Sequence, residues 1–254
     1  MVSIVIDDVS IEFPIYDLSG RSLRKELFSS SIGGVLRKDK SNRITVQALD
    51  RVSMRVEEGD RLGIVGHNGA GKSTLLRAMA GIYEPVSGRI QITGKVAPLF
   101  NILIGIDQDS TGYENIFARA LFLNMSREEM EMHLDDITEF SDLGNYLHMP
   151  IRTYSTGMLV RLAFAIATCA NADILLMDEV IGAGDAAFQK RAEARLEAFV
   201  EKAGTLVIAS HSADILRGMC RKGIILHHGK VEFSGSIDDA LKYYSDRIGN
   251  GAHA

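Results

Sequence analysis

The chain has 254 residues, 46% hydrophobic and 24% charged, enough apolar side chain to bury one large core or two modest ones. Its 33 acidic residues outnumber 28 basic ones, for a formal charge of -5. No global positive field therefore holds nucleic acid by counterion release, which excludes non-specific DNA or RNA binding as a leading function. No apolar run approaches the roughly 20 residues that cross a bilayer, and Asp7 and Asp8 stand where a signal peptide would carry basic residues. A globular chain on the cytoplasmic side is expected. Cys169 and Cys220 lack the paired spacing of a zinc or redox site and are expected to be reduced.

Ile4 to Phe13 alternates as a strand does, and Val52 to Val56 and Arg61 to Val65 read as two more, joined by the turn Glu57-Glu58-Gly59-Asp60. Together they predict an N-terminal antiparallel β layer. Between Arg21 and Arg43, seven basic residues face two acidic ones, a local excess of +5. A helix is predicted from Lys72, followed by strands at Arg89 to Ile92 and Lys95 to Leu99. From Tyr113 to Tyr146 the pattern is helical. Ser126-Arg127-Glu128-Glu129 forms a capping box there, and an apolar face runs through Met130, Leu134, Ile137 and Phe140.

Beyond Pro150, helices and strands alternate: a helix from Ser155, a strand at Asp173 to Met177, a helix from about Asp185, a strand at Thr205 to Ala209, and a helix after Ser212. Such alternation predicts a mostly parallel sheet covered on both faces. Gly223 to Phe233 reads as a terminal hairpin turning at His228-Gly229, and Ser236 caps a last helix to Asp246. The expected organisation is a single α/β domain. Residues 1–100 and 151–235 form its core with the antiparallel layer, 101–150 a helical subdomain, and 236–254 the last helix and tail.

The strand ending at Val65 runs into Gly66-His67-Asn68-Gly69-Ala70-Gly71-Lys72-Ser73-Thr74, the P-loop pattern between a buried strand and a helix. By chance the pattern arises in roughly one chain of this length in a hundred, before that context is required. The glycines let backbone N–H groups converge on phosphate oxygens, and the helix N-terminus adds its positive dipole. Lys72 would reach the β- and γ-phosphates, and Ser73 would ligate Mg²⁺. These residues predict a nucleoside triphosphate site in a P-loop NTPase core.

The apolar run Ile174 to Met177 ends in Asp178-Glu179, delivering two carboxylates to the carboxyl edge of the sheet, where α/β ligands bind. Asp178 suits Mg²⁺, and Glu179 suits a base for the attacking water. His211 follows another strand to the same edge, within reach of a γ-phosphate. Ser155 caps the helix that continues through Gly157 and Met158, which creates a second anion site of the helix-terminus kind. A second cradle makes sense mainly for the nucleotide of another subunit.

In this order, over the whole chain, the motifs resemble the ATP-binding subunit of an ABC transporter. The resemblance implies a homodimer paired head to tail around ATP and Mg²⁺. Ser155 and Gly157 would contact ATP held on the partner's P-loop, Asp185 would lie on the loop crossing the dimer interface, and His211 would be the switch histidine. Asn101 stands in the approximate place of the glutamine that links metal and γ-phosphate to the helical lobe. The adenine-stacking aromatic is Tyr16 or Phe13, Tyr16 being preferred because Phe13 precedes Pro14. Thr156 and Met158 replace the glycine and glutamine of most ABC proteins.

Tyr154-Ser155-Thr156-Gly157-Met158, Thr111-Gly112-Tyr113-Glu114-Asn115 and Gly184-Asp185-Ala186-Ala187-Phe188-Gln189 resemble the exporters of bacterial polysaccharides: O-antigen, capsule and teichoic acid. That likeness implies an ATPase on the cytoplasmic face of the inner membrane that drives separate transmembrane permease subunits, which make most of the glycan contacts. Arg37, Lys38 and Lys40 would help it dock on an anionic leaflet or the permease. The rival readings are the ATPase of an importer and a soluble ABC ATPase without a transport role. The latter usually carries tandem units or long coiled-coil insertions, and neither is seen here.

Overall fold

A computed structural model describes residues 1–15, 35–38, 44–100, 102–123, 125–178 and 186–251. In chain order the elements are β1 (Ser3–Pro14), β2 (Val35–Lys38), β3 (Ile44–Glu57), β4 (Arg61–Val65), α1 (Lys72–Met79), β5 (Ser87–Thr93) and β6 (Val96–Pro98). Then come α2 (Gly112–Phe122), α3 (Arg127–Met132), α4 (Leu134–Ser141), α5 (Thr156–Ala167), β7 (Ile174–Asp178) and α6 (Ala186–Ala203). The chain closes with β8 (Thr205–Ala209), α7 (Ala213–Met219), β9 (Lys222–His227), β10 (Lys230–Ser236) and α8 (Ile237–Gly251). They gather into two units, one of residues 1–94, 176–179 and 205–254 and one of residues 95–175 and 180–204.

The first unit holds two sheets. One is antiparallel in the order β2-β3-β1-β5, with Ser3 opposite both Glu57 and Thr93. In the other, β4 lies between β8 and β9, parallel to both, and β10 pairs antiparallel with β9. The structure therefore corrects the assignment of Arg61–Val65 to the N-terminal antiparallel layer. Leu62 to Val65 are buried without alternation, as a strand covered on both faces requires, whereas β3 alternates. The turn between them is held by the central sheet: Gly59 N–H donates to Thr205 Oγ1 at 3.1 Å and Leu206 N–H to the Asp60 carbonyl at 2.8 Å. β8 is buried throughout, each large aliphatic side chain contributing about 1.5–3 kcal/mol of transfer free energy.

The second unit is largely helical. Ile116, Met130, Ile137, Leu147 and Leu162 form its core, all at most 1% exposed. Its first two helices, α2 and α3, start with complete capping boxes, Ser126 with Glu129 as expected and Thr111 with Glu114 in addition. Arg195 of α6 grips Asp136 of α4 with two parallel N–H···O bonds, of 2.9 and 2.5 Å, and donates to Thr168 Oγ1 at 2.6 Å. The guanidinium holds the Asp136 carboxyl below its ordinary range and covers the Phe140 ring at 4.4 Å. A bidentate, mostly buried arginine of this kind is worth more than an exposed ion pair. Cys169 and Cys220 are free and buried, burial pushing their thiols up to about 11 and about 12.

Asn115 is fully buried in α2 and ties down the preceding loop. Its Oδ1 accepts from Asp107 N–H at 2.8 Å, while Nδ2 donates to the carbonyls of Asp107 at 2.9 Å and Thr111 at 2.9 Å. Replacing it removes the partners of the Asp107 N–H and carbonyl, while the Thr111 carbonyl keeps the Asn115 backbone N–H, at about 1–3 kcal/mol per buried group left unpaired. Asn115→Ala should therefore lower stability by about 2–3 kcal/mol in urea unfolding. A loss under about 0.5 kcal/mol, the scale of an ordinary surface change, would show that the loop does not depend on this clamp.

Candidate nucleotide site

β4 delivers the chain into the loop Gly66–Thr74, and α1 begins within it at Lys72. Gly71, at the N-cap of α1, has φ 107 and no side-chain cap. A Cβ there would lie 2.6 Å from the Ala48 carbonyl oxygen, so only glycine allows the left-handed turn and the approach of β3 together. The first N–H groups of α1 consequently face the cleft without a competing side chain, as an anion site needs.

Lys72 is 8% exposed. Its ammonium donates to the carbonyls of Gly66 at 2.7 Å and His67 at 3.1 Å, and lies 3.3 Å from His211 Nε2. The cation is thus held over the loop by backbone oxygens, which a phosphate oxygen can replace at little geometric cost. Around it opens a cleft of about 400 Å³ lined by Ala48, Asn68, Gly69, Gly71, Lys72, Ser73, Thr74, Asp178 and His211. Asp178 at the end of β7 and His211 after β8 therefore share one opening with the P-loop, as the sheet-edge argument expects. Ser210, preceding His211, accepts from Ser212 N–H at 3.1 Å, and Ser212 Oγ caps α7 through Ile215 N–H at 3.4 Å, which fixes the backbone on either side of the histidine.

Ser155 and Gly157 belong to the second unit. They line an opening there of about 390 Å³ with Asp142, Leu143, Tyr146, Met158 and Arg161. Ser155 Oγ accepts from Met158 N–H at 3.2 Å, the N-cap expected from sequence. Among the described residues a Cβ on Gly157 would meet only Ser155 Oγ, at 3.9 Å, so packing against them does not demand glycine. Tyr154 donates its hydroxyl to the Tyr146 carbonyl at 2.7 Å, and burial pushes that phenol up to about 12.

Glu179, Asp185, Tyr16 and Asn101, with the basic residues Arg21 to Lys25, Lys40 and Arg43, lie outside the described residues. Phe13, the alternative to Tyr16, packs edge to face on Tyr83 at 5.1 Å. Sequence reasoning missed two contributors. One is Ala48, which shapes the loop through its carbonyl and so leaves no side-chain signal. The other is the hairpin turn, where Gly229 N–H donates to the Ala70 carbonyl and Asp50 N–H to the Gly229 carbonyl, both at 2.9 Å. At that turn the pKa of His227 is lowered to about 4, first by burial and then by the neighbouring His228, Arg247 and His67 charges; its Nδ1 lies 2.9 Å from Glu232, which also pairs with Arg247.

The ABC transporter family pattern matches residues 49–182. The chain is 42% identical to the O-antigen export system ATP-binding protein RfbE of Yersinia enterocolitica, over 94% of this chain and 99% of that protein. It is 37% identical to the teichoic acids export ATP-binding protein TagH of Bacillus anthracis, over 78% of this chain and 36% of that one. In fold it is similar to the ATP-binding cassette MJ0796, solved as a dimer in a post-hydrolysis state bound to ADP and Pi. The TM-score is 0.67 at 20% identity, covering 92% of this chain and 98% of that one.

Because Gly71 cannot carry a Cβ without displacing Ala48, Gly71→Ala should weaken ADP binding at least tenfold while Gly157→Ala leaves it within twofold. Fluorescent-nucleotide titration measures both. Equal affinities for Gly71→Ala and the parent would show that the loop tolerates a side chain there.

Proposed function

This chain belongs to the ABC transporter family, and we propose that it is the ATP-hydrolysing subunit of a bacterial exporter of cell-surface polysaccharide. The observation that carries the chemistry is the cleft in which Lys72, Ser73, Asp178 and His211 meet around a glycine-rich loop. The export assignment is supported by the O-antigen and teichoic acid relatives, which match most of the chain. In this reading the subunit sits on the cytoplasmic face of the membrane as a homodimer, drives separate permease subunits, and leaves most glycan contacts to them. No described helix is long and apolar enough to cross a bilayer, consistent with membrane passage being the work of other chains.

Each residue has a role that follows from its chemistry. The N–H groups of Gly69 to Ser73 cradle the phosphates, and Lys72 exchanges its carbonyl partners for β- and γ-phosphate oxygens. Ser73 Oγ and Asp178 are hard oxygen donors on the same cleft, a set that fits Mg²⁺ completed by waters. When bound, Mg²⁺ neutralises charge that develops on the phosphates. Glu179 accepts the proton of the attacking water, and His211 contacts the γ-phosphate. Ser155 and the open face at Gly157 receive the triphosphate held by a second copy of the chain, with Asp185 on the loop between copies. Tyr16 stacks on the adenine, and Asn101 links the metal to the helical lobe.

Surface chemistry in the second unit supports a protein partner. Leu121 and Phe122 are 81% and 65% exposed at the end of α2. The loop bearing Leu103 and Ile104 is held beside them by Arg119, which donates to the Ile104 carbonyl. Exposed apolar side chains grouped in this way suit burial against another protein.

Glu179→Gln keeps hydrogen-bonding capacity but removes the proton acceptor. Phosphate release should fall by about 10²–10⁴-fold while ATP binding persists, and the variant should run as an ATP-bound dimer in size-exclusion chromatography. Near-normal turnover would remove Glu179 from the reaction. In cells, loss of the subunit should deplete surface polysaccharide and leave the glycan inside, with rescue by the parent and not by Lys72→Ala. Unchanged surface glycan would reject the export assignment.

A further inference from the structure

Three imidazoles converge beside the P-loop without a role in the nucleotide chemistry. His67 comes from the loop itself, and His227 and His228 from the end of β9 and the hairpin turn that follows. One ring nitrogen from each lies within 4.8 Å of the others. The rings meet edge to face, with centroids 5.1 Å apart for His67 and His227, 5.0 Å for His67 and His228, and 4.2 Å for His227 and His228.

Hydrogen bonds show which nitrogen two of the rings use as a donor. His67 Nδ1 lies 2.7 Å from the Asn68 carbonyl. A carbonyl only accepts, so Nδ1 is the donor, and in the neutral ring the lone pair is on Nε2. That Nε2 is buried and makes no hydrogen bond among the described residues. His227 Nδ1 lies 2.9 Å from Glu232, whose carboxylate also accepts from Arg247; it too donates through Nδ1, which in the neutral ring leaves the lone pair on Nε2. A histidine that gives Nδ1–H to a carbonyl or carboxylate while its Nε2 stays unprotonated is arranged as metal-ligating histidines are. His228 completes the set from a backbone at φ 44, a left-handed turn locked by the hydrogen bonds of Gly229 to Ala70 and Asp50.

We propose that His67, His227 and His228 form a binding site for one borderline divalent metal ion, zinc by preference, separate from the Mg²⁺ position at Ser73 and Asp178. Three neutral imidazoles are the ligands that zinc, copper and nickel favour and magnesium does not. A tetrahedral zinc with bonds of about 2.0–2.1 Å sets its ligand nitrogens roughly 3.4 Å apart. The 4.8 Å cluster therefore needs to close by about 1.4 Å at its widest, within reach of side-chain rotation at the exposed His228, and a water takes the fourth position. The ion would tie the terminal hairpin to the first half of the P-loop.

Zinc titration by calorimetry on the full chain, with Co²⁺ absorption as a check of tetrahedral geometry, tests this. One ion per chain is expected. His228→Asn removes the imidazole but tolerates the left-handed backbone, and it should weaken zinc at least tenfold, as should His227→Ala. Glu232→Gln, which removes the carboxylate behind His227, should weaken it by about 10–100-fold. Zinc should also raise the melting temperature of the parent and not of the His227→Ala/His228→Asn double variant, while His148→Ala changes neither result. If the double variant loses ADP binding and so fails to fold, His228→Asn and Glu232→Gln alone decide. Zinc affinity in the parent equal to that of these variants would overturn the site.

Discussion

The geometry of the phosphate loop rests on one carbonyl group outside it. Ala48 of β3 presents its oxygen to both Gly71 and Gly229, and a Cβ on either would lie 2.6 Å from it. Three stretches of backbone, from β3, the P-loop and the β9–β10 turn, approach more closely than side chains allow. Hydrogen bonds from Gly229 to Ala70 and from Asp50 to Gly229 lock the contact. The loop is therefore shaped from outside as much as by its own glycines. This explains how Lys72 can be held by backbone oxygens with its charge directed into the cleft: the loop has no freedom to collapse onto the ammonium.

The same seam shows what a sequence can and cannot disclose. The P-loop string, the N-cap of Ser155 and the Ser126 box were legible because each is local, the caps being side chains that act on backbone within three residues. The hairpin turn was legible from His228-Gly229. The role of Ala48 was not, because a carbonyl carries no residue-specific signature. The placement of β4 was misread because its pattern is short and follows a tight turn, and only pairing with β8 and β9 separates it from β3. The convergence of His67 with His227 and His228 was hidden by most of the chain length lying between them.

Thr111 to Asn115, quoted from sequence as a mark of polysaccharide exporters, has a plain structural reading. Thr111 and Glu114 close a capping box, and Asn115 holds the loop before it with its side-chain amide. The motif builds the start of α2. The apolar residues that leave the core, Leu121 and Phe122, stand at the other end of the same helix. A rigid, well-capped helix that exposes apolar side chains at its far end transmits displacement better than a loop would, because its hydrogen bonds are already satisfied and its core face is fixed by Ile116 and Ala120.

Gly157 offers the opposite lesson. Gly71 and Gly229 are explained by atoms of this chain, whereas among the described residues only Ser155 Oγ, at 3.9 Å, approaches a Cβ at Gly157. The helix it opens is capped by Ser155 through Met158 N–H, whereas α1 has no side-chain cap. The two helix starts differ in what surrounds them. At α1 a glycine-rich loop, a lysine and a carboxylate are assembled around the N-terminus; at α5 there is a serine, an open glycine and a shallow wall of Tyr146, Met158 and Arg161. The second opening lacks the lysine and the Asp178 carboxylate that surround the first, and the proposed sharing of sites between two copies of the chain rests on that asymmetry.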